Sequence, residues 1–247
     1  MSRFPRLFVP HSLQLGGEII LEDAERHRLV RTLRLHRGDS VQVFNGTDGE
    51  WLAVIREPGP PLRLEILQGL AKGGDPGLAV TLVLGLTKSG SIEVAVQKAV
   101  EVGAVTLIPL LTRYGVSRPD ERQTDNKLRR LQRIAVEAAQ QCGRCTPPLI
   151  HAPVEWKDLA ALLPDSPRLL FWEEERNHSV GLMGVPDPGD AVTLLVGPEG
   201  GLTMDEVQYA REALGFVCVT LGPRILRAET AAIVAVAACQ MLWGDMG

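Results

Sequence analysis

The chain has 247 residues, 45% of them hydrophobic and 23% charged, with a formal net charge of −4. That is apolar material for one large core or two modest ones. No uncharged apolar run approaches the roughly 18 to 20 residues of a membrane span, and the start, Met1-Ser2-Arg3-Phe4-Pro5-Arg6, lacks the apolar core of a signal peptide, so a cytoplasmic protein is expected.

Residues 1–70 read as a small β-rich domain. Residues 7–9 and 18–21 are short strand candidates, and Glu22 or Asp23 can start a helix. Residues 40–44 alternate before Asn45-Gly46-Thr47-Asp48-Gly49, a hairpin signal, and residues 51–55 and 62–67 are the returning strands. The acidic net charge offers no global footprint for nucleic acid, so an RNA contact has to come from local patches. One stands out: Arg26, Arg28, Arg31, Arg34 and Arg37 occur with His27 and His36 and with no acid among them. On a regular helix His27, Arg31 and Arg34 share one face, while Val30 and Leu33 lie on another that can pack inward.

Residues 71–77 are rich in glycine with a proline, a composition that suits a linker. From residue 78 to 247 strand and helix alternate. The strands are 78–86, 105–111, 169–172, 192–196 and 217–221. The helices are 91–102, a long one from Thr124 or Asp125 to about Gln141, then 155–163, 205–214 and 229–243. This alternation argues a largely parallel sheet covered on both faces. The last helix is apolar nearly all round, from Ala231 to Ala238, which fits a central helix or a subunit interface. Of four cysteines only Cys142 and Cys145 form a CxxC. Without a second ligand pair they read as free structural thiols, and no metal is expected.

Two stretches carry the chemistry. Each is a short apolar run ending in glycine and followed by a helical pattern. The first turn is Gly197-Pro198-Glu199-Gly200-Gly201-Leu202-Thr203, and the second is Leu221-Gly222-Pro223-Arg224-Ile225-Leu226-Arg227-Ala228-Glu229-Thr230-Ala231. Glycines at such turns let a ligand lie against backbone N–H groups. Two arginines and a glutamate beside a strand-end glycine exceed what a structural turn needs.

The pair of turns resembles the last two motifs of the SPOUT methyltransferases, specifically the family that methylates N3 of a uridine in bacterial 16S rRNA. Further likeness lies in His27-Arg28-Leu29-Val30-Arg31-Thr32-Leu33-Arg34-Leu35-His36-Arg37-Gly38-Asp39, in Lys88 with the helix from Ile92 to Gly103, and in residues 137–144 with Pro147-Pro148. The resemblance implies an α/β protein: a C-terminal SPOUT trefoil-knot domain (78–247), one of the rare exceptions to unknotted chains, and an N-terminal small PUA-like β-barrel domain (1–70) that binds RNA. It further implies S-adenosylmethionine (SAM) as cofactor, 16S rRNA within the small ribosomal subunit as partner, and a homodimer through the knot domain.

For the cofactor, the residues expected are Leu195, Gly197, Glu199, Gly200, Gly201, Leu221, Gly222, Ile225, Leu226 and Arg227. For RNA they are Arg31, Arg34, Lys88 and Arg144. Uridine N3 carries a proton that has to leave, so a base is wanted, and charge then gathers on O2 and O4, where an arginine stabilises it. Arg227 is expected in that role, with Arg144 second. Glu199 fits both a base and a carboxylate that orders its turn, and Glu229 fits a helix N-terminal charge better than a base. Two other readings stay open: a SPOUT enzyme acting on ribose 2′-oxygen or another base, and a non-catalytic rRNA-binding assembly factor.

Overall fold

The computed structural model describes residues 4–71, 73–87, 89–115, 120–172 and 180–247, the side chains of Ala24, Ser89 and Val180 excepted. The chain divides into two compact units, Met1–Asp75 with Ala139–Pro147, and Pro76–Ala138 with Pro148–Gly247.

The first unit holds β1 (Arg6–Phe8), β2 (Glu18–Leu21), β3 (Ser40–Phe44), β4 (Glu50–Glu57) and β5 (Leu62–Gly69) in the order β1-β3-β4-β5-β2. Strand alternation builds its core. In β5, Leu62, Leu64 and Ile66 are buried, while Arg63 points out between Glu18 (3.0 Å) and Glu57 (3.2 Å). Register shifts between β4 and β5 curl the sheet, and Ile19, Val41, Val43 and Ile55 complete the apolar interior.

The basic segment departs from the expected regular helix. A single turn, α1 (Asp23–Arg26), passes into a π-helical turn over His27–Thr32, which shifts the faces from those of a 3.6-residue period. Leu29 is therefore the buried residue, Leu33 is exposed, and Arg34 lies past the helix with φ +55°. Arg28, Arg31, Arg34 and Arg37 are all exposed.

Arg6 holds the last turn of the long helix α3 (Glu121–Cys142) in this unit. Its guanidinium donates to the carbonyls of Ala139 and Gln140 (both 3.1 Å) and Arg144 (2.9 Å), and pairs with Glu50 at 2.7 Å. A cation thus meets the carbonyls that a helix C-terminus leaves unsatisfied. The Asp75 carboxylate accepts from the N–H groups of Cys145 (3.1 Å) and Thr146 (3.0 Å) and fixes the loop beyond. All four cysteines are free thiols, and burial foremost pushes the Cys145 thiol up, keeping it a neutral donor to the Gly73 carbonyl at 3.1 Å.

The second unit is a seven-stranded parallel sheet. Its strands are β6 (Ala79–Gly85), β7 (Ala104–Leu110), β8 (Leu149–Ile150), β9 (Arg168–Phe171), β10 (Val180–Gly181), β11 (Ala191–Val196) and β12 (Val217–Thr220), ordered β10-β12-β9-β11-β6-β7-β8. The helices are α2 (Ser89–Glu101), the first five turns of α3, α4 (Trp156–Leu159), α5 (Met204–Glu212) and α6 (Ala228–Trp243). The two-residue strands β8 and β10 are too short to leave a pattern in the sequence. Helix α3 starts before the expected Thr124, because the Asp120 carboxylate accepts the Gln123 N–H at 2.7 Å. Strand β11 is inserted between β6 and β9, both of which precede it in the chain.

Helix α6 is buried along one side only, through Ala228, Ala232, Ala235, Val236, Cys239 and Gln240. The Gln240 amide donates to the carbonyls of Leu78 (3.0 Å) and Gly103 (3.2 Å), fastening the last helix to the start of β6 and to the turn before β7. Its other side leaves Val234 and Met241, seven residues apart, exposed, so the apolar character does not mean packing on every face within one chain.

Candidate functional site

Parallel register aligns the strand exits. Leu84 pairs with Val196, Val196 with Phe171, and Phe171 with Val219, so the two motif turns leave the same carboxyl edge on either side of β9. Open parallel sheets bind ligands outside that edge.

The first turn is closed by the Gly201 N–H donating to the Pro198 carbonyl at 2.9 Å, with Gly201 at φ +73°. Glu199 and Gly200 form its exposed tip. Leu202, 6% exposed, folds beneath it into a core shared with Trp172, Leu195 and Val207, and Thr203 caps α5 through a capping box with Glu206. The turn is packed tightly from two sides. A Cβ on Gly85 would meet the Pro198 nitrogen at 2.5 Å, and one on Gly200 would meet the Tyr114 Cβ at 2.7 Å.

The second turn begins with the Thr220 hydroxyl accepting the Gly222 N–H at 3.2 Å, and Gly222 has φ +104°. Residues 223–225 then run exposed, Ile225 at 75%. Among the described residues, the N–H groups of Arg224, Ile225 and Leu226 donate to no protein acceptor. Arg227 is exposed at the N-cap of α6, where its own carbonyl accepts the Ala231 N–H at 2.8 Å, and Glu229 lies half-buried in the first turn. Uncommitted backbone donors beside an exposed isoleucine form a surface with both the polar edge and the apolar face that a purine wants. The edge fits an adenosyl group.

The expected residues therefore divide. Gly197, Glu199, Gly200, Gly201, Leu221, Gly222, Ile225, Leu226 and Arg227 sit in the two turns of one edge. Leu195 does not present its backbone there: it lies inside β11, paired with Val83 on one side and Leu170 on the other, so it forms the floor under the first turn. Arg31, Arg34 and Arg144 belong to the first unit, and Lys88 lies outside the described residues. Arg144 differs in its surroundings from Arg31 and Arg34. Its side chain is 3% exposed and stands 3.9 Å from Asp75, a buried member of that unit.

Sequence reading missed Gly85, Tyr114 and Glu206. The first two act through close backbone approach, which spacing does not reveal. Glu206 left a signal in Thr203-Met204-Asp205-Glu206, a capping-box pattern.

A family described as RNA methyltransferase domain matches residues 75–240. The chain is 36% identical over 211 residues to the ribosomal RNA small subunit methyltransferase E of Mesomycoplasma hyopneumoniae, covering 85% of this chain and 88% of that one. It is 30% identical over 244 residues to that of Rickettsia conorii, covering 97% and 96%. Two solved structures match nearly end to end. A methyltransferase from Legionella pneumophila with bound SAM gives TM-score 0.91 at 28% identity, covering 99% of this chain and 100% of that one. The ribosomal RNA small subunit methyltransferase E of Neisseria gonorrhoeae bound to SAM gives 0.90 at 30%, with the same coverage.

Proposed function

The chain belongs to the RNA methyltransferase family of the ribosomal RNA small subunit methyltransferase E proteins, and on that premise we propose that it transfers the methyl group of SAM to N3 of a specific uridine in 16S rRNA. The observation that carries this reading is the pair of glycine turns flanking β9, one tipped by Glu199 and the other leading to Arg227.

When bound, SAM supplies an electrophilic methyl on a positively charged sulfur. The rest is work for the protein. The free N–H groups from Arg224 to Leu226 would hold the polar edge of the adenine, and Ile225 would offer it an apolar surface. Gly222, with open space around it, lets the ligand approach the backbone, while Gly200 lets Tyr114 pack against the first turn. Glu199, free at the tip of its turn, takes the N3 proton, which leaves the lone pair for the methyl group. Arg227 stabilises the negative charge that deprotonation places on the uracil oxygens. A positioned base contributes roughly 10²- to 10⁴-fold, and alignment of the reactants contributes more.

In this reading residues 1–70 are the PUA-like RNA-binding domain, 71–77 a linker and 78–247 the SPOUT domain. Arg31 and Arg34 contact phosphate, supported by their exposure and by the absence of any acidic partner among the described ion pairs. The exposed apolar face of α6 at Val234 and Met241 supports a homodimer through the knot domain. Among the described residues no helix is long and apolar enough to cross a membrane, and ribosomal RNA as substrate implies the cytoplasm.

The test is methyl transfer to small subunits by Arg227→Ala beside wild type. A fall in kcat of about 10²-fold or more, with the Kd for SAM changed much less, is expected. Equal rates would remove Arg227 from the chemistry.

A further inference from the structure

Glu206 does more than cap a helix. In a capping box one carboxylate oxygen reaches back to the N-cap N–H, and here Oε2 does so, accepting from the Thr203 N–H at 2.9 Å and its hydroxyl at 3.1 Å. The other oxygen serves remote parts of the chain. Oε1 accepts the backbone N–H of Arg113 at 2.8 Å and the indole N–H of Trp156 at 3.0 Å. Trp156 is itself set edge-on against Tyr209 of α5, ring centroids 6.1 Å apart. One side chain thereby joins the exit loop of β7, the start of α4 and the turn after β11.

The consequence lies one residue beyond Arg113. Tyr114 is packed so closely on Gly200 that a Cβ there would stand 3.0 Å from the Tyr114 carbonyl oxygen and nearer still to its Cβ. Tyr114 is thus a wall of the Pro198–Gly201 turn, and Glu206 holds both the wall, through its neighbour Arg113, and the turn, through Thr203. Tyr114 remains 58% exposed at this edge.

We propose that Glu206 is a positioning residue of the SAM site, setting the distance between the Tyr114 wall and the Glu199–Gly200 tip before the cofactor arrives. This rests on the reading of the carboxyl edge as a SAM site. The carboxylate touches neither reactant. It fixes the shape of the cavity, so its loss acts on cofactor affinity and leaves the transfer step of a filled site largely unchanged.

The experiment compares wild type, Glu206→Gln, Glu206→Ala and Trp156→Phe. Hydrogen exchange is followed in cofactor-free protein, with calorimetric SAM binding and steady-state transfer on the same samples. Glu206→Ala is expected to speed exchange in residues 111–115 and 197–203 while the β6 and β11 amides stay protected. The SAM Kd and KM should rise about tenfold or more, with kcat at saturating SAM within about threefold. Glu206→Gln keeps one acceptor oxygen and should fall between, and Trp156→Phe, which removes a single donor, should be mildest. Should Glu206→Ala fail to fold, the order of the other two carries the test. A Kd unchanged in these variants, or loosening spread evenly over the whole sheet, overturns the inference alone. Wild type that binds no SAM overturns the reading of the edge and this inference with it.

Discussion

Gly85 and Pro198 touch through their backbones. At the end of β6, Gly85 lies so close to the Gly197–Pro198 peptide that a Cβ would meet the Pro198 nitrogen at 2.5 Å and the Gly197 carbonyl carbon at 2.9 Å. Neither atom is the end of a flexible side chain, so the turn itself would have to move. Gly85→Ala is predicted to destabilise the protein by about 1–3 kcal/mol, the usual cost of overpacking, and to weaken SAM binding about tenfold or more. Urea denaturation and calorimetry on the same samples check both.

The first unit is predicted to depend on Arg6. This guanidinium, 9% exposed, is surrounded by Glu50, three carbonyls from the end of α3 and its loop, and the Phe44 ring 4.7 Å away. Arg6→Ala leaves the partly buried Glu50 without its cation and the helix-end carbonyls without a donor, at a cost of about 2–4 kcal/mol. Adding Glu50→Gln should restore part of that, because the stranded charge is gone. A double variant no better than the single one would show that the carbonyls, and not the charge, dominate.

A dimer is predicted to form through α6. Val234 and Met241 share an exposed apolar face of a helix whose opposite side is buried. Met241→Glu with Val234→Glu should shift the protein to monomer in sedimentation equilibrium, with the circular dichroism spectrum unchanged.

Alkaline stability carries a signature of Cys239. Burial pushes this thiol up to about 12 from an ordinary value of 9.0. Below the unfolded value the thiol is protonated in both states and contributes no pH dependence. As pH rises from there toward the folded value, the unfolded chain loses the proton while the native one keeps it, so stability falls, by at most about 1.4 kcal/mol per pH unit. Cys239→Ala should flatten that part of the slope in urea denaturation between about pH 9 and 10.5. The comparison is of slopes, since the lost sulfur also leaves a small cavity.

Where local pattern and final structure agree, the reason is periodicity. Strands β2 and β3 have the bounds read from the sequence, because alternation and turn residues mark both ends, and the two motif turns could be paired because each follows a buried strand. The π-turn at His27 was not legible: it needs an extra residue per turn, and a 3.6-residue wheel then assigns burial to Leu33 in place of Leu29. The burial of Arg144 has no local signal, because its surroundings, Asp75 and the Arg6 cluster, are far away in sequence. Contacts from Gly85 to Pro198 and from Glu206 to Arg113 span more than ninety residues, and no window of sequence contains both partners.

The most direct test of the central claim is product identity. Small subunits from cells lacking the modification are incubated with the protein and isotope-labelled SAM, and the rRNA is digested to nucleosides and resolved by mass spectrometry. Label is expected in 3-methyluridine at a single position of 16S rRNA. Label on a ribose oxygen or on another base would contradict it, and would leave the fold and the SAM site standing without their assigned chemistry.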